Sequence, residues 1–327
     1  MIEEKTKQII EIIRKDFGGG SVFSLGTDPQ IVDKQRERLS SNLYELDWAL
    51  SGGMVCGVTH EIYGVEGSGK TTLLLQMIKQ IQKRGGTVFF CDAEHSLNIE
   101  YAKALGIDTN NLLISQPDYG EQGLDIVQCV AETGLVDLIA IDSVTGLVPK
   151  ADIDNDFTDA NMGAHPRLMS KMCRVLTPII SSKNIYLILI NQIRHKIGVF
   201  FGSPETTTGG NAIKFYAGMR MRVSATKVEN EDDVRYLNID VKKQKWGVPF
   251  RKTELRLILG RGFDIGYDRI NYGLRTGIIQ RSSSYYKMGS IGLGNGIKND
   301  GKFLVTDEEA IKAYEFAIGE IKNNKTN

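Results

Sequence analysis

Gly64-Val65-Glu66-Gly67-Ser68-Gly69-Lys70-Thr71 fills every fixed position of the pattern G-x-x-x-x-G-K-[ST]. Gly64, Gly67 and Gly69 accept backbone angles that a Cβ would forbid, so the segment can curl tightly and turn its N–H groups inward. Such a nest holds phosphate oxygens. Lys70 is placed to reach the outer phosphates as a point charge, and the Thr71 hydroxyl to meet Mg²⁺. The flanks agree. Thr59-His60-Glu61-Ile62-Tyr63 reads as a strand entering the loop, and Thr72-Leu73-Leu74-Leu75-Gln76-Met77-Ile78 opens a helix whose positive end favours the same anions. The plainer reading is a Gly/Ser turn that happens to precede a lysine.

Downstream of this loop, short apolar runs recur at Val88-Phe89-Phe90-Cys91, Leu112-Leu113-Ile114, Leu138-Ile139-Ala140-Ile141 and Tyr186-Leu187-Ile188-Leu189-Ile190. Continuous runs of this length suit strands buried on both faces of a parallel sheet. Helical patterns at 72–84, 97–105, 121–133 and 167–181 connect them. The expected fold is therefore α/β, with a mostly parallel sheet and right-handed crossovers. Past Arg220 the helical pattern fades, and 222–225, 236–241 and 253–259 read as further, antiparallel strands. Upstream, Ile9, Ile10, Ile12, Ile13 and Phe17 lie at helical spacing among charges, ended by Gly18-Gly19-Gly20. Val22-Phe23-Ser24-Leu25 is a short strand candidate. A lone helix and strand cannot bury their own apolar face, so they should pack on the core or on a neighbouring subunit. After about Asp268, Tyr285-Tyr286, a Gly-rich stretch from Gly289 to Gly301 and a final helix from about Asp307 to Ile321 leave room for a small C-terminal α+β domain. The expected division is 1–34, 35–267 and 268–327.

The chain has 327 residues and a formal net charge of zero, so any nucleic-acid contact must come from local basic patches. Cys56, Cys91, Cys129 and Cys173 are scattered without a C-x-x-C pair, which argues against a disulfide framework or a zinc site. Cys91 and Cys129 sit in apolar runs and are expected in the core. The chain has no apolar stretch of ~18 residues and no signal-peptide pattern, so a cytoplasmic location away from membranes is expected.

Ligands of a parallel sheet bind beyond the carboxyl ends of its strands. There stand Asp92-Ala93-Glu94-His95, Asp142-Ser143 and Asn191-Gln192. Asp142 suits a Mg²⁺-organising carboxylate; Asp-Ser is also ordinary cap chemistry. Glu94 is the better candidate to activate an attacking water, but Asp92 could exchange roles with it, and spacing does not separate them. The Gln192 amide can donate and accept, so it could sense a γ-phosphate or cap a loop. The stretch from Arg194 to Gly210 mixes Arg194, Lys196, Phe200 and Phe201 with Thr206-Thr207-Thr208-Gly209-Gly210. That mixture suits a single strand of nucleic acid, or equally a mobile surface loop.

Taken together, Gly64 to Thr72, Asp92-Ala93-Glu94-His95, Ser115-Gln116-Pro117-Asp118 with Gly120-Glu121-Gln122, Ile141-Asp142-Ser143-Val144, Asn191-Gln192-Ile193-Arg194 and GSPETTTGGNAIKFY (202–216) resemble the bacterial RecA recombinase family. The resemblance spans nearly the whole chain. It implies a RecA-like P-loop core that forms a helical homo-oligomer on single-stranded DNA with ATP and Mg²⁺. Such a filament pairs the strand with homologous double-stranded DNA, exchanges strands and hydrolyses ATP. A ring-forming, helicase-like ATPase on the same core is the alternative.

Within that resemblance Gly64, Glu66, Gly67, Ser68, Gly69, Lys70, Thr71 and Thr72 match the phosphate loop, and Glu94 the catalytic glutamate. Asp142 matches the Mg²⁺-side aspartate, with Thr71 as the other metal-side residue. Gln192 matches the residue coupling the γ-phosphate to the DNA loop, and Tyr101 an aromatic on adenine. Lys243 and Lys245 match a pair reaching ATP across the subunit interface; their spacing in a strand-like stretch puts them on one side. Met162 and Ile197 match wedges between base triplets. Arg167, Arg174, Arg194, Gly209 and Gly210 match contacts to the DNA backbone. The chain also departs from the family. Gly67 replaces a serine, 39–60 diverges, and Tyr267 is offset from a second adenine-side tyrosine. His165-Pro166 should start the helix carrying Arg167, and no acidic tail is present. Such divergence would suit a phage-encoded member.

Overall fold

The alternation of buried side chains along the central strands sorts the protein into layers. The structure, a computed structural model, describes residues 2–19, 21–24, 36–154, 163–195, 205–229, 231–295 and 304–324. The chain divides into two compact units, 1–37 and 38–327.

The first unit holds helix α1 (Ile2–Phe17), with Glu3 and Glu4 in its first turn and Arg14 and Lys15 in its last, the arrangement a helix dipole favours. Arg14 Nε donates to the Val22 carbonyl at 3.2 Å, and its guanidinium lies 5.4 Å from the Phe23 ring centre. Ile9, Ile12 and Phe17 are exposed. Contrary to expectation, Val22–Ser24 form no strand. An extended run this short needs a partner backbone, and none pairs with it among the described residues. Leu25 lies outside those residues.

The second unit opens with a small ribbon, β1 (Arg38–Leu39) against β2 (Met54–Val55), around helix α2 (Tyr44–Ala49). Strand β3 (Thr59–Gly64) leads to helix α3 (Lys70–Lys83), β4 (Val88–Asp92), α4 (Ile99–Ala104), β5 (Leu112–Ser115), α5 (Gly120–Thr133) and β6 (Leu138–Asp142). Then come α6 (Lys150–Asp154), α7 (Ala164–Lys183), β7 (Tyr186–His195), β8 (Glu205–Thr207), α8 (Ala212–Tyr216), β9 (Met219–Val228), β10 (Glu231–Gln244), β11 (Lys252–Ile258) and β12 (Gly262–Phe263). The main sheet runs β12-β11-β10-β9-β3-β7-β6-β4-β5, with β8 on β7. From β9 to β5 every pairing is parallel; from β9 to β12 every pairing is antiparallel.

Period-two alternation sends neighbours to opposite faces. Phe90 joins the layer of Ile78, Leu74 and Ile62, whereas Phe89 and Cys91 join that of Leu124, Met169 and Leu176. Cys129 corrects one expectation, since it is exposed. On α5 the inward side is Leu124, Val127 and Ala131, at helical spacing, and position 129 falls on the other side. The carboxyl-terminal part adds α9 (Ile265–Thr276), the antiparallel sheet β13 (Gln280–Ser282), β14 (Tyr285–Met288) and β15 (Ile291–Asn295), and α10 (Glu308–Asn324). Ile270, Tyr286, Met288, Leu293 and Tyr314 share an apolar cluster there.

His60 sits in β3 with 1% exposure. Its Nε2 donates to the Val55 carbonyl at 2.8 Å, and Nδ1 has no partner among the described residues. Burial lowers its pKa from 6.5 to about 4. Between those values the unfolded chain binds a proton that the folded one refuses, so stability falls as pH drops through that window. The expected loss is about 3 kcal/mol. Urea unfolding at pH 7 and pH 4.5 checks this: His60→Gln keeps a donor but cannot titrate, and should lose correspondingly less stability. Equal acid losses in both proteins would assign the effect elsewhere.

Candidate functional site

The loop between β3 and α3 is built by close approach. Gly67 and Gly69 take φ of +68° and +87°. At Gly69 a Cβ would also stand 2.6 Å from Leu237 Cδ2. Gly64 differs from expectation in its reason. Its φ is not left-handed, but a Cβ there would run into the Val223 carbonyl and lie 2.6 Å from Ser68 Oγ. Ser68 is 1% exposed and, among the described residues, its hydroxyl has no partner. Lys70 Nζ donates to the Val65 carbonyl at 2.8 Å. Burial lowers the Lys70 pKa, against the pull of Asp142, Glu94 and Glu66.

Thr71 Oγ1 donates to Asp142 Oδ2 at 2.7 Å. Burial pushes the Asp142 carboxyl up to about 6, the Thr71 hydrogen bond opposes this, and the charges of Glu94 and Asp92 add to it. A divalent cation would reverse that balance. Hydroxyl and carboxylate oxygens are hard ligands of the kind Mg²⁺ takes alongside phosphates. The unpartnered Ser68 hydroxyl, the glycine cradle and this oxygen pair all fit a nucleotide with its metal.

The structure separates Asp92 from Glu94. Asp92 is buried and accepts from Ser96 N at 3.0 Å, Leu97 N at 3.2 Å and Gln116 Nε2 at 2.9 Å. Both of its oxygens are committed to shaping the loop after β4. Glu94 is exposed, and its Oε1 accepts from Ser143 Oγ and, at 3.1 Å, from Gln192 Nε2. Of the two carboxylates, Glu94 alone has an open side.

Gln192 in turn belongs to a network that the sequence reading missed. Its N–H donates to Asn191 Oδ1 at 2.8 Å, and Asn191 Nδ2 donates to Glu61 Oε1 at 2.8 Å and to the Thr208 carbonyl at 3.0 Å. Arg220 pairs with the other Glu61 oxygen and lies 4.7 Å over the Tyr63 ring. Arg220 stands opposite Lys243 in the β9–β10 ladder. One chain of hydrogen bonds thus runs from Arg220 through Glu61 and Asn191 to Gln192 and to Thr208. The available signal was Glu61 itself, a charge in the middle of a fully buried strand, which must be paired. Arg222 grips Glu205 with two hydrogen bonds, 2.8 and 2.7 Å, tying β8, within the stretch 194–210, to β9.

Lys243 and Lys245 are not equivalent. Strand β10 ends at Gln244, so alternation does not extend to Lys245. Lys243 Nζ donates to the carbonyls of Lys214 and Phe215 at 2.7 and 2.9 Å. Burial, then the charges of Lys245 and Arg220, lower the Lys243 pKa. Lys245 is exposed. Tyr101 lies beside the phosphate loop, its hydroxyl 2.9 Å from Thr72 Oγ1, and both line a cavity of about 550 Å³ with Gly67 to Thr71. Tyr267 is turned away, its hydroxyl donating to Glu254 Oε1 at 2.8 Å.

Helix α7 begins at Ala164, just before His165-Pro166. Arg167, Arg174 and Arg194 are exposed. Gly209 and Gly210, at φ +90° and +74°, close on the start of α7: a Cβ on Gly209 would be 2.9 Å from Met169 Cγ, and one on Gly210 3.2 Å from Pro166 Cβ. The end of the stretch 194–210 therefore packs against the first turns of α7. Met162 and Ile197 lie outside the described residues.

Among the described residues no helix is long and apolar enough to cross a membrane. The family model described as the RecA N-terminal domain matches residues 4–264. The chain is 45% identical over 309 residues to Protein RecA of Sulfurimonas denitrificans, covering 93% of this chain and 88% of that one. It is 42% identical over 325 residues to Protein RecA of Borrelia hermsii, covering 97% and 91%. A third relative, Protein RecA of Sinorhizobium fredii, is 43% identical over 310 residues, covering 94% and 85%.

Proposed function

The chain belongs to the RecA family and is a homologous recombinase, and on that premise we propose that it polymerises on single-stranded DNA and hydrolyses ATP there with the residues gathered around its phosphate loop. The observation that carries the reading is the single hydrogen-bonded cluster of Thr71, Asp142, Ser143, Glu94 and Gln192 beyond the carboxyl ends of adjacent strands.

Gly64, Glu66, Gly67, Ser68, Gly69 and Thr72 cradle the phosphates, and Lys70 leaves the Val65 carbonyl for them. Tyr101 supports the adenine. Thr71 and Asp142 would hold Mg²⁺, which neutralises charge on the phosphates when bound. The Glu94 carboxylate takes a proton from the attacking water. Gln192, bonded to Glu94 on one side and linked through Asn191 to Thr208 on the other, reports the γ-phosphate to the DNA loop. Lys243 and Lys245 serve the nucleotide of the neighbouring subunit. Arg167, Arg174, Arg194, Gly209 and Gly210 face the DNA backbone, and Met162 and Ile197 separate base triplets. We read 1–34 as the segment that joins subunits, 35–267 as the ATPase core and 268–327 as a small domain with its own apolar cluster, in a cytoplasmic protein.

Electron microscopy with single-stranded DNA and a non-hydrolysable ATP analogue tests the assembly. Helical filaments are expected. Closed rings would favour the helicase-like alternative, and no assembly at all would contradict both.

A further inference from the structure

The wall facing the phosphate loop carries two cations that the sequence reading did not single out. The last rung joining β9 to β3 pairs Val223 with Gly64, so both β9 and its partner β10 run on past the loop. Their rungs are Val223 with Ile239, Ala225 with Leu237, and Lys227 with Arg235. Along this face the side chains stay apolar while they cover the core, and become cationic where they overhang the loop. Leu237 already touches the loop at Gly69. Ala225, Lys227, Arg235 and Leu237 line the same 550 Å³ cavity as Gly67 to Thr72 and Tyr101.

Like charges directly opposite on neighbouring strands repel. Among the described residues neither Lys227 nor Arg235 is paired with a carboxylate. Arg235 Nη1 donates to the carbonyls of Asp232 at 2.8 Å and Val234 at 2.7 Å, which leaves its other N–H groups available. An anion seated between the two cations would relieve the repulsion.

We propose that Lys227 and Arg235 bind the phosphate chain of the nucleotide held by their own subunit, as a cis clamp opposite the loop. The site takes nucleoside polyphosphates, and the clamp is separate from Lys243 and Lys245, which reach a neighbour. The proposal rests on the reading of this cavity as the nucleotide site.

Displacement of a fluorescent ATP analogue from the full-length protein, without DNA, by ATP, ADP, AMP and adenosine tests it. Lys227→Gln and Arg235→Gln should each weaken ATP binding about tenfold, the scale of one charge-assisted hydrogen bond. Adenosine affinity should not change. Arg235→Lys, which keeps the charge, should recover part of the loss. Unchanged ATP affinity in both Gln variants, with wild-type protein binding ATP normally, would overturn the clamp. An equal loss for adenosine would overturn it too, because the pair would then act on the base, the sugar or the fold. Failure of the wild-type protein to bind ATP would instead remove the nucleotide-site reading, and the clamp with it.

Discussion

Glu94→Gln should bind ATP and single-stranded DNA like the parent protein yet lose ~10²–10⁴-fold in turnover, the range for a positioned general base. The amide keeps the shape of the side chain and can still pair with Ser143 and Gln192, so the arrangement at the ends of β4, β6 and β7 should persist. What it lacks is an oxygen basic enough to take a proton. Asp92→Asn is the instructive companion. Asp92 already accepts three hydrogen bonds, two of them from backbone N–H groups. Its replacement should disturb the loop and lower thermal stability before it touches the chemical step. Steady-state hydrolysis and nucleotide binding, measured on both variants, decide the matter. Near-normal turnover by Glu94→Gln would move the base elsewhere.

Lys245→Ala should bind ATP as a monomer through Lys70 but lose DNA-dependent hydrolysis, by on the order of 10³-fold if it acts as a cation supplied in trans. The structure sharpens this choice over Lys243. Lys243 is already docked on the carbonyls of Lys214 and Phe215, so its replacement would also disturb α8. Lys245 projects from the turn after β10 and is exposed. Two neighbouring cations repel, and phosphates of a nucleotide on the next subunit would stabilise them together. ATP would then contact both sides of the interface, the differential contact by which a ligand shifts an equilibrium. Mixing Lys245→Ala with Lys70→Ala protein is the strict test. Interfaces that pair an intact loop with an intact lysine pair should recover hydrolysis. Normal DNA-dependent hydrolysis by Lys245→Ala alone would show that this lysine is not required in trans.

Local patterns made the core of the fold legible. The parallel strands are continuous apolar runs, and their helices keep a 3.6-residue period, so both could be read within a window of a few turns. The phosphate loop was legible because its glycines, lysine and threonine are adjacent in sequence. What failed depended on partners far along the chain. Cys129 sits in an apolar run, but only the direction of α5 shows that it faces outward. Val22–Ser24 has the composition of a strand but, among the described residues, no backbone that pairs with it. Asp92 and Glu94 were inseparable by spacing. Gln116, which helps commit Asp92, is 24 residues away, and Gln192, which engages Glu94, is 98 away. The Glu61–Asn191–Arg220 network joins three strands that are neighbours only after folding. Lys227 and Arg235 look like ordinary surface charges until the register of β9 and β10 sets them opposite each other above the loop.

Strand exchange between circular single-stranded DNA and a homologous linear duplex, with ATP and Mg²⁺, tests the central claim most directly. The account predicts joint molecules that need ATP, need homology, and are lost in Lys70→Ala protein. Single-stranded DNA that stimulates hydrolysis while no homologous joint molecule ever forms would contradict it.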